Sequence, residues 1–155
     1  MGTRRKGRAV AGLSALALSG MFATYLQALR APSAYASVVC TVTVGTDDPL
    51  SPSPGSLRDC VDQVNNAGGG EIDLTVDVHM QDTLTLNEGL LLTTDDGSNR
   101  TIYGGGSGSD FRFMMANVAG KTLEITDVTF QDFASTNLGA VVYINGSSAT
   151  ATLAD

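Results

Sequence analysis

The residues able to do chemistry in this chain are mostly carboxylates, and their spacing decides what they can be asked to do. Asp127 and Asp132 flank one short apolar run, and Asp95 and Asp96 are adjacent in a turn-forming stretch. Two carboxyl groups carry out acid–base hydrolysis only when held a defined distance apart, with one environment shifted so that it keeps its proton. Neither spacing imposes such a distance. Cationic partners beyond residue 36 are Arg58, Arg100, Arg112 and Lys121, and Arg58 falls in a helical segment of its own. The single histidine, His79, has no Ser or Cys partner in a nucleophile pattern, which predicts a surface or turn position.

Gly105-Gly106-Ser107-Gly108-Ser109-Asp110 matches the start of the calcium-binding nonapeptide GGxGxDxUx. That site needs tandem copies, because each ion sits between successive turns. Arg112 also stands where the repeat wants a large apolar residue, so a turn is the expected role. The run lacks the Gly-Lys-Ser/Thr that completes a phosphate loop. Cys40 and Cys60, with one distant His79 and no CxxC spacing, fall short of a tetrahedral metal set. No catalytic, cofactor-binding or metal-ligating set is therefore assigned. Asn99-Arg100-Thr101 and Asn145-Gly146-Ser147 have the glycosylation pattern, which matters only on a eukaryotic secretory route. Asn-Gly also fits a tight turn without any glycan.

Charge is divided along the 155 residues. Arg4, Arg5, Lys6, Arg8 and Arg30 precede residue 37, whereas all 16 acidic residues follow it. Residues 37–155 thus carry four cations against 16 carboxylates, a net −12 that excludes non-specific binding to nucleic acid or anionic lipid. Residues 1–36 read as a secretory signal: a basic start, the uncharged run Ala9–Leu29, and Ala34-Tyr35-Ala36 as a small-x-small cleavage site. Cleavage after Ala36 would leave Ser37 first. An uncleaved anchor is the competing reading, since about 20 residues span a bilayer, but Gly, Ser, Thr and Gln weaken the run as a span. Thr3-Arg4-Arg5 is similar to a twin-arginine start, although Gly7 and Arg8 replace the apolar residues that signal prefers. No later segment is expected to cross a membrane as a helix. The expected location is secreted or at the outer surface of a bacterial cell. In that oxidising setting, two cysteines allow one internal bridge, Cys40–Cys60, contributing on the order of 3 kcal/mol. Two free buried thiols are the alternative.

Positioning these groups falls to short β elements and one helix. Val38–Val44 is β-branched and reads as a strand, and Gly45–Gly55, rich in Pro and Asp, reads as a loop. Leu57, Cys60, Val61 and Val64 share one face of a helix with Ser56 as N-cap, Asp59 as its capping-box partner, and Gly68-Gly69-Gly70 as its stop. Strands are expected at Glu71–Val78, Thr83–Leu86, Leu90–Thr94, Thr101–Tyr103, Phe111–Met115, Thr122–Phe130, Ala140–Ile144 and Ala149–Leu153. Asp127 interrupts Thr122–Phe130 as a one-residue corner, with Leu123, Ile125, Val128 and Phe130 facing inward. Phe111, Phe113, Phe130 and Phe133 are expected as stacked core rings. Apolar segments recur roughly every 20 residues, which favours about four stacked coils over one folded sheet. A β-sandwich also shows short, regularly spaced strands, but these are only three to five residues long with very tight turns between them. A helix at one end suits a solenoid, whose terminal coil otherwise exposes its core and strand edge.

Several of these stretches resemble a family. Gly55-Ser56-Leu57-Arg58-Asp59-Cys60-Val61 followed by Asn65-Asn66 is similar to the "GSLREAI…AN" opening of exported right-handed parallel β-helix proteins, among them the polymorphic outer membrane proteins. Thr101-Ile102-Tyr103-Gly104-Gly105-Gly106 resembles their "xTIxGGG" coil, and Leu123–Phe130 resembles "LTIxNVTF". Leu138-Gly139-Ala140-Val141 approximates GGAI, with Leu138 in place of a glycine and Phe133 where asparagine would complete FxxN. The resemblance implies an all-β fold, a right-handed parallel β-helix with an N-terminal amphipathic capping helix. The implied division is a signal at 1–36, the first strand, loop and capping helix at 37–67, and coils at 68–155. The last strand ends without a cap, which is expected to leave an open coil. The implied function is a non-enzymatic, secreted or surface-displayed scaffold of the adhesin kind, its partner a cell-surface glycan or a host protein. The alternative is the first part of a pectin-lyase-like polysaccharide lyase or hydrolase acting on acidic glycans.

Overall fold

The computed structural model describes residues 38–94, 96–106, 110–136 and 139–154. The expected signal at 1–36 lies outside them, as do Asp95, Ser107–Ser109 and Leu138. The described elements are β1 (Val38–Val42), α1 (Leu57–Ala67), β2 (Gly70–Leu74), β3 (Val78–His79), β4 (Leu84–Leu86), β5 (Leu90–Thr93), β6 (Arg100–Tyr103), β7 (Met114–Ala116), β8 (Thr122–Thr126), β9 (Val128–Gln131), β10 (Val142–Ile144) and β11 (Thr150–Ala154). Among the described residues, no helix is long and apolar enough to cross a membrane.

The strands form three parallel sheets, in the orders β1-β2-β5-β8-β11, β4-β7-β10 and β3-β6-β9. Each strand pairs with its equivalent one circuit later, so the chain winds as a parallel β-solenoid of about 4 turns. Alternation within each strand supplies the core that the winding encloses. In β2, Ile72 and Leu74 are buried while Glu71 and Asp73 between them are half-exposed, and β4, β5, β7 and β8 repeat the pattern. Each coil therefore closes around its own apolar filling, and stacking joins the fillings into one core. The row Cys40, Ile72, Leu92, Ile125, Leu153 runs in register through all five strands of the first sheet.

Leu123, Ile125 and Val128 are buried and Phe130 packs against the core, as their spacing predicts. Asp127 forms the one-residue corner between β8 and β9, with φ at 58°. The expected strand over 71–78 is instead two, β2 and β3, separated by the bend Thr75-Val76-Asp77, and the first strand stops at Val42. The interval between coils is not constant either. Gly70 pairs with Leu90, 20 residues on, but Leu90 pairs with Leu123, 33 on, and Thr122 with Thr150, 28 on. The extra residues fall between β6 and β7 and between β9 and β10, and the strand ladders on either side keep their register. Where those segments stack, the backbones approach closely: a Cβ on Gly104 would lie 2.4 Å from the Asp132 carbonyl oxygen. Glycine is obligatory at that point.

The helix forms as its caps dictate, with one displacement. The Ser56 side chain accepts from Asp59 N–H at 3.2 Å, but Asp59 reaches back to Gly55 N–H, at 2.9 Å, rather than to Ser56. Ser56 N–H is already taken by the Ser53 carbonyl at 3.0 Å. Gly68, left-handed at φ 84°, ends the helix, and both its N–H and that of Gly69 point to the Val64 carbonyl. Leu57, Cys60, Val61 and Val64 are buried against the first coil. Cys40 and Cys60 form a disulfide with 5.5 Å between Cα atoms, tying α1 to β1.

Candidate functional site

Solenoid winding decides which carboxylates can meet; of the sequence candidates, Asp95 lies outside the described residues. Asp127 and Asp132 sit at successive bends on either side of β9, both left-handed at φ 58° and 60°. Their position is explained by the bend, since Asp tolerates this conformation better than most residues. Asp96 is an exposed turn residue whose carboxylate accepts from Ser98 N–H at 3.0 Å and pairs with Arg100 at 3.0 Å. The hydrogen bonds from Ser98, above all, hold its pKa below the usual carboxylate value. Asp110, from the calcium-like run, accepts from Thr136 N–H at 2.8 Å and Thr136 Oγ1 at 2.7 Å, which lowers its pKa likewise. It pins one bulge to the next. No three His, Cys, Asp or Glu side chains converge on a metal-sized site among the described residues.

The cations separate into two kinds. Arg58 reaches from α1 to Asp47, whose side chain is wholly buried, through Nε at 2.7 Å and a terminal nitrogen at 2.6 Å. It also donates to the carbonyls of Asp82 and Thr83, at 3.0 and 3.3 Å. The Asp47 hydrogen bond is the main reason its pKa rises. Arg100 is held by Asp96, and Lys121 by Glu88 and the Asn87 carbonyl. Arg112 differs: among the described residues it forms no ion pair, and its guanidinium lies 5.0 Å above the Tyr143 ring.

Tyr143 belongs to the outer row of the second sheet, in register with Met115 and Thr85. Alternation places Thr85 and Met115 outward, because Leu84, Leu86, Met114 and Ala116 fill the core. Arg112 is fixed at the rim of this row by its own N–H, which donates to Thr83 Oγ1 at 3.3 Å. The resulting patch combines Thr85, Met115 and Tyr143 with one guanidinium fork over the Tyr143 ring, which forms no ion pair among the described residues. Such a fork suits a planar carboxylate. Asp110 lies close enough for its charge to be felt, and it is committed to Thr136.

The third sheet carries the other exposed ring pair. His79 is exposed, as expected, but it stacks on Tyr103 with centroids 4.6 Å apart and planes 9° from parallel. Each ring therefore covers one face of the other. Phe113 is fully buried with Phe130 and Phe133 packed on it at centroid distances of 4.8 and 6.1 Å, and Phe111 packs on Phe133 at 6.1 Å, as core rings.

The coils also share an asparagine corner. Asn65, Asn87, Asn117 and Asn145 form a ladder down one corner. Asn65 of α1 donates to the Thr85 carbonyl at 2.9 Å and accepts from Asn87 N–H at 2.8 Å. Asn117 then reaches Asn87, and Asn145 reaches Asn117, at 3.4 and 3.3 Å. The signal was present: Asn follows directly on the last residue of β4, β7 and β10. Asn145, the first residue of the second sequon, is the last member of this ladder.

No protein-family model, curated protein or solved structure matches this chain.

Proposed function

We propose that the chain is a non-enzymatic scaffold of the adhesin kind, secreted or displayed on the outer surface of a bacterium, which binds glycan on the outside of its second sheet. In this reading the solenoid is a right-handed β-helix of the pectin-lyase-like and polymorphic outer membrane protein type, and α1 is its cap. The observation that carries the reading is Arg112, held over Tyr143 beside Met115 while Arg58, Arg100 and Lys121 are each engaged by a carboxylate. The placed carboxylates support it too, since Asp47, Asp59, Asp96 and Asp110 are bound to backbone or side-chain groups of the coils.

The charge balance narrows the ligand. A net −12 over residues 37–155 repels a polymer charged on every sugar, although salt screens this beyond about 8 Å. A mostly neutral glycan bearing one carboxylated sugar avoids that repulsion and still meets the Arg112 fork. The test is calorimetry or a glycan array, using a neutral oligosaccharide ending in one carboxylated sugar and the same oligosaccharide as its methyl ester. Binding of the acid form, lost with Arg112→Ala and at least tenfold weaker as the ester, is the expected result. Release of unsaturated or reducing ends from polyuronate, with or without calcium, would establish the enzyme reading instead. Equal binding by the Arg112→Ala variant would remove the proposed site.

A further inference from the structure

The asparagine ladder holds one rung whose chemistry the others lack. Asn145 is followed by Gly146, so the next backbone nitrogen carries no side chain to hinder its approach to the amide carbon. Such a pair reacts when the following N–H is free and water has access. Asn145 and Gly146 are both exposed. The Gly146 N–H donates to nothing among the described residues, whereas the Asn145 N–H is held by the Ala116 carbonyl at 2.8 Å. These features belong to the corner itself. Glu88 and Val118 take the place of Gly146 in the two preceding coils, each with a further coil stacked on it. Their N–H groups likewise donate to nothing among the described residues. Asn87 is exposed even with Asn117 stacked on it.

The other described asparagines are blocked. Asn87 and Asn117 precede Glu88 and Val118, whose side chains crowd the nitrogen. After Asn65 and Asn66 the chain is still helical, and after Asn99 the Arg100 N–H is taken by the Asp127 carbonyl at 3.2 Å. Asp96-Gly97 is the comparable acidic pair. There the Gly97 N–H donates to the Thr94 carbonyl at 3.4 Å, and hydrogen bonds from Ser98 favour the ionised carboxylate, which resists attack.

We propose that Asn145 is a site of spontaneous deamidation, and that its product opens the Asn117–Asn145 rung. The Gly146 nitrogen, its proton lost to hydroxide, bonds to Asn145 Cγ. The Cγ–Nδ2 bond breaks, and Nδ2 leaves as ammonia with a proton from solvent. Water then adds to either carbonyl of the cyclic imide, giving aspartate or isoaspartate. Neither ionised product can donate to Asn117 Oδ1 as Asn145 Nδ2 does at 3.3 Å, so a carboxylate faces that oxygen instead. Isoaspartate also lengthens the backbone by a methylene where Gly146 packs on Ala119. Even a Cβ on Gly146 would lie 2.8 Å from the Ala119 nitrogen.

Incubation of the folded chain at mildly alkaline pH, followed by peptide mapping with mass spectrometry, tests this. Aspartate and isoaspartate should accumulate at 145 at least about tenfold faster than at Asn65, Asn87 or Asn117, and faster still as pH rises. Asn145→Gln, which keeps an amide donor but cannot close the same ring, should show no conversion there. Asn145→Asp stands in for the product. In it, hydrogen exchange at Gly120, whose N–H donates to the Ser147 carbonyl at 3.2 Å in the same corner, should quicken about tenfold. Circular dichroism of each variant checks that the β content is retained. An Asn145 that stays intact in the folded chain for as long as a peptide of residues 141–150 takes to convert overturns the site. Unchanged exchange at Gly120 in Asn145→Asp overturns its effect on the ladder.

Discussion

Asp47→Ala is the most informative single perturbation, because Asp47 joins three segments that are distant in sequence. Its carboxylate accepts from Arg58 Nε at 2.7 Å, from an Arg58 terminal nitrogen at 2.6 Å and from Gln81 N–H at 3.2 Å. The loop after β1, the helix and the bend before β4 therefore share one buried anion. Truncation leaves Gln81 N–H unpaired and strands a guanidinium whose side chain is 14% exposed. Breaking a buried pair from one side costs about 3–5 kcal/mol. The Asp82 and Thr83 carbonyls still hold Arg58, and water reaches part of it, so the low end, about 3 kcal/mol, is expected here. With a urea slope of about 2 kcal/mol/M, the unfolding midpoint should fall by roughly 1.5 M. Replacing both partners, as Asp47→Leu with Arg58→Met, should restore stability to within about 1 kcal/mol, since no charge is then buried unpaired. Titration cannot substitute for mutation. The raised Arg58 pKa means its contribution is fully present below the ordinary guanidinium value and is lost only as pH rises beyond the raised folded value. A single variant within about 1 kcal/mol of the parent would refute the reasoning, as would a double variant no better than the single.

Three further outcomes follow from the same geometry. Replacing Cys40 and Cys60 with serine should cost about 3 kcal/mol for a sequence separation of 20, and alkylation of the unreduced native chain should label neither cysteine. At the corner residue, Asp127→Gly should change stability by less than about 1 kcal/mol while Asp127→Val costs about 1–2 kcal/mol, measured by the same urea titration. Asp96 and Asp110 have folded pKa values below 3.8, so their contribution is complete above that pH and is lost as pH falls through the lowered values. The thermal midpoint should therefore drop in that acid range, and the drop should be shallower in Asp96→Asn and Asp110→Asn.

What could be read before the fold was known is whatever depends on neighbours in sequence. Alternation in Leu123-Glu124-Ile125, the corner at Asp127, and the Ser56 and Gly68 caps each involve contacts within a few residues, and each is where local chemistry places it. The inter-coil contacts were hidden because the coils differ in length. Asn87 meets Asn117 after 30 residues and Asn145 meets Asn117 after 28, so no fixed period marks the ladder, although each Asn occupies the same place relative to its strand. Asp47 was concealed more deeply. It lies in a loop whose prolines and aspartates all read as turn formers, and only winding brings it under Arg58. Arg112 shows the same limit from the other side. Its sequence position spoils a calcium motif, which made it look like a defect in someone else's site. Its position on the solenoid sets it over the Tyr143 ring, which is why the proposed glycan site is built on it. Chemistry in a solenoid is therefore set by which residues share a face across coils of unequal length, and pair spacing along the chain carries little of it.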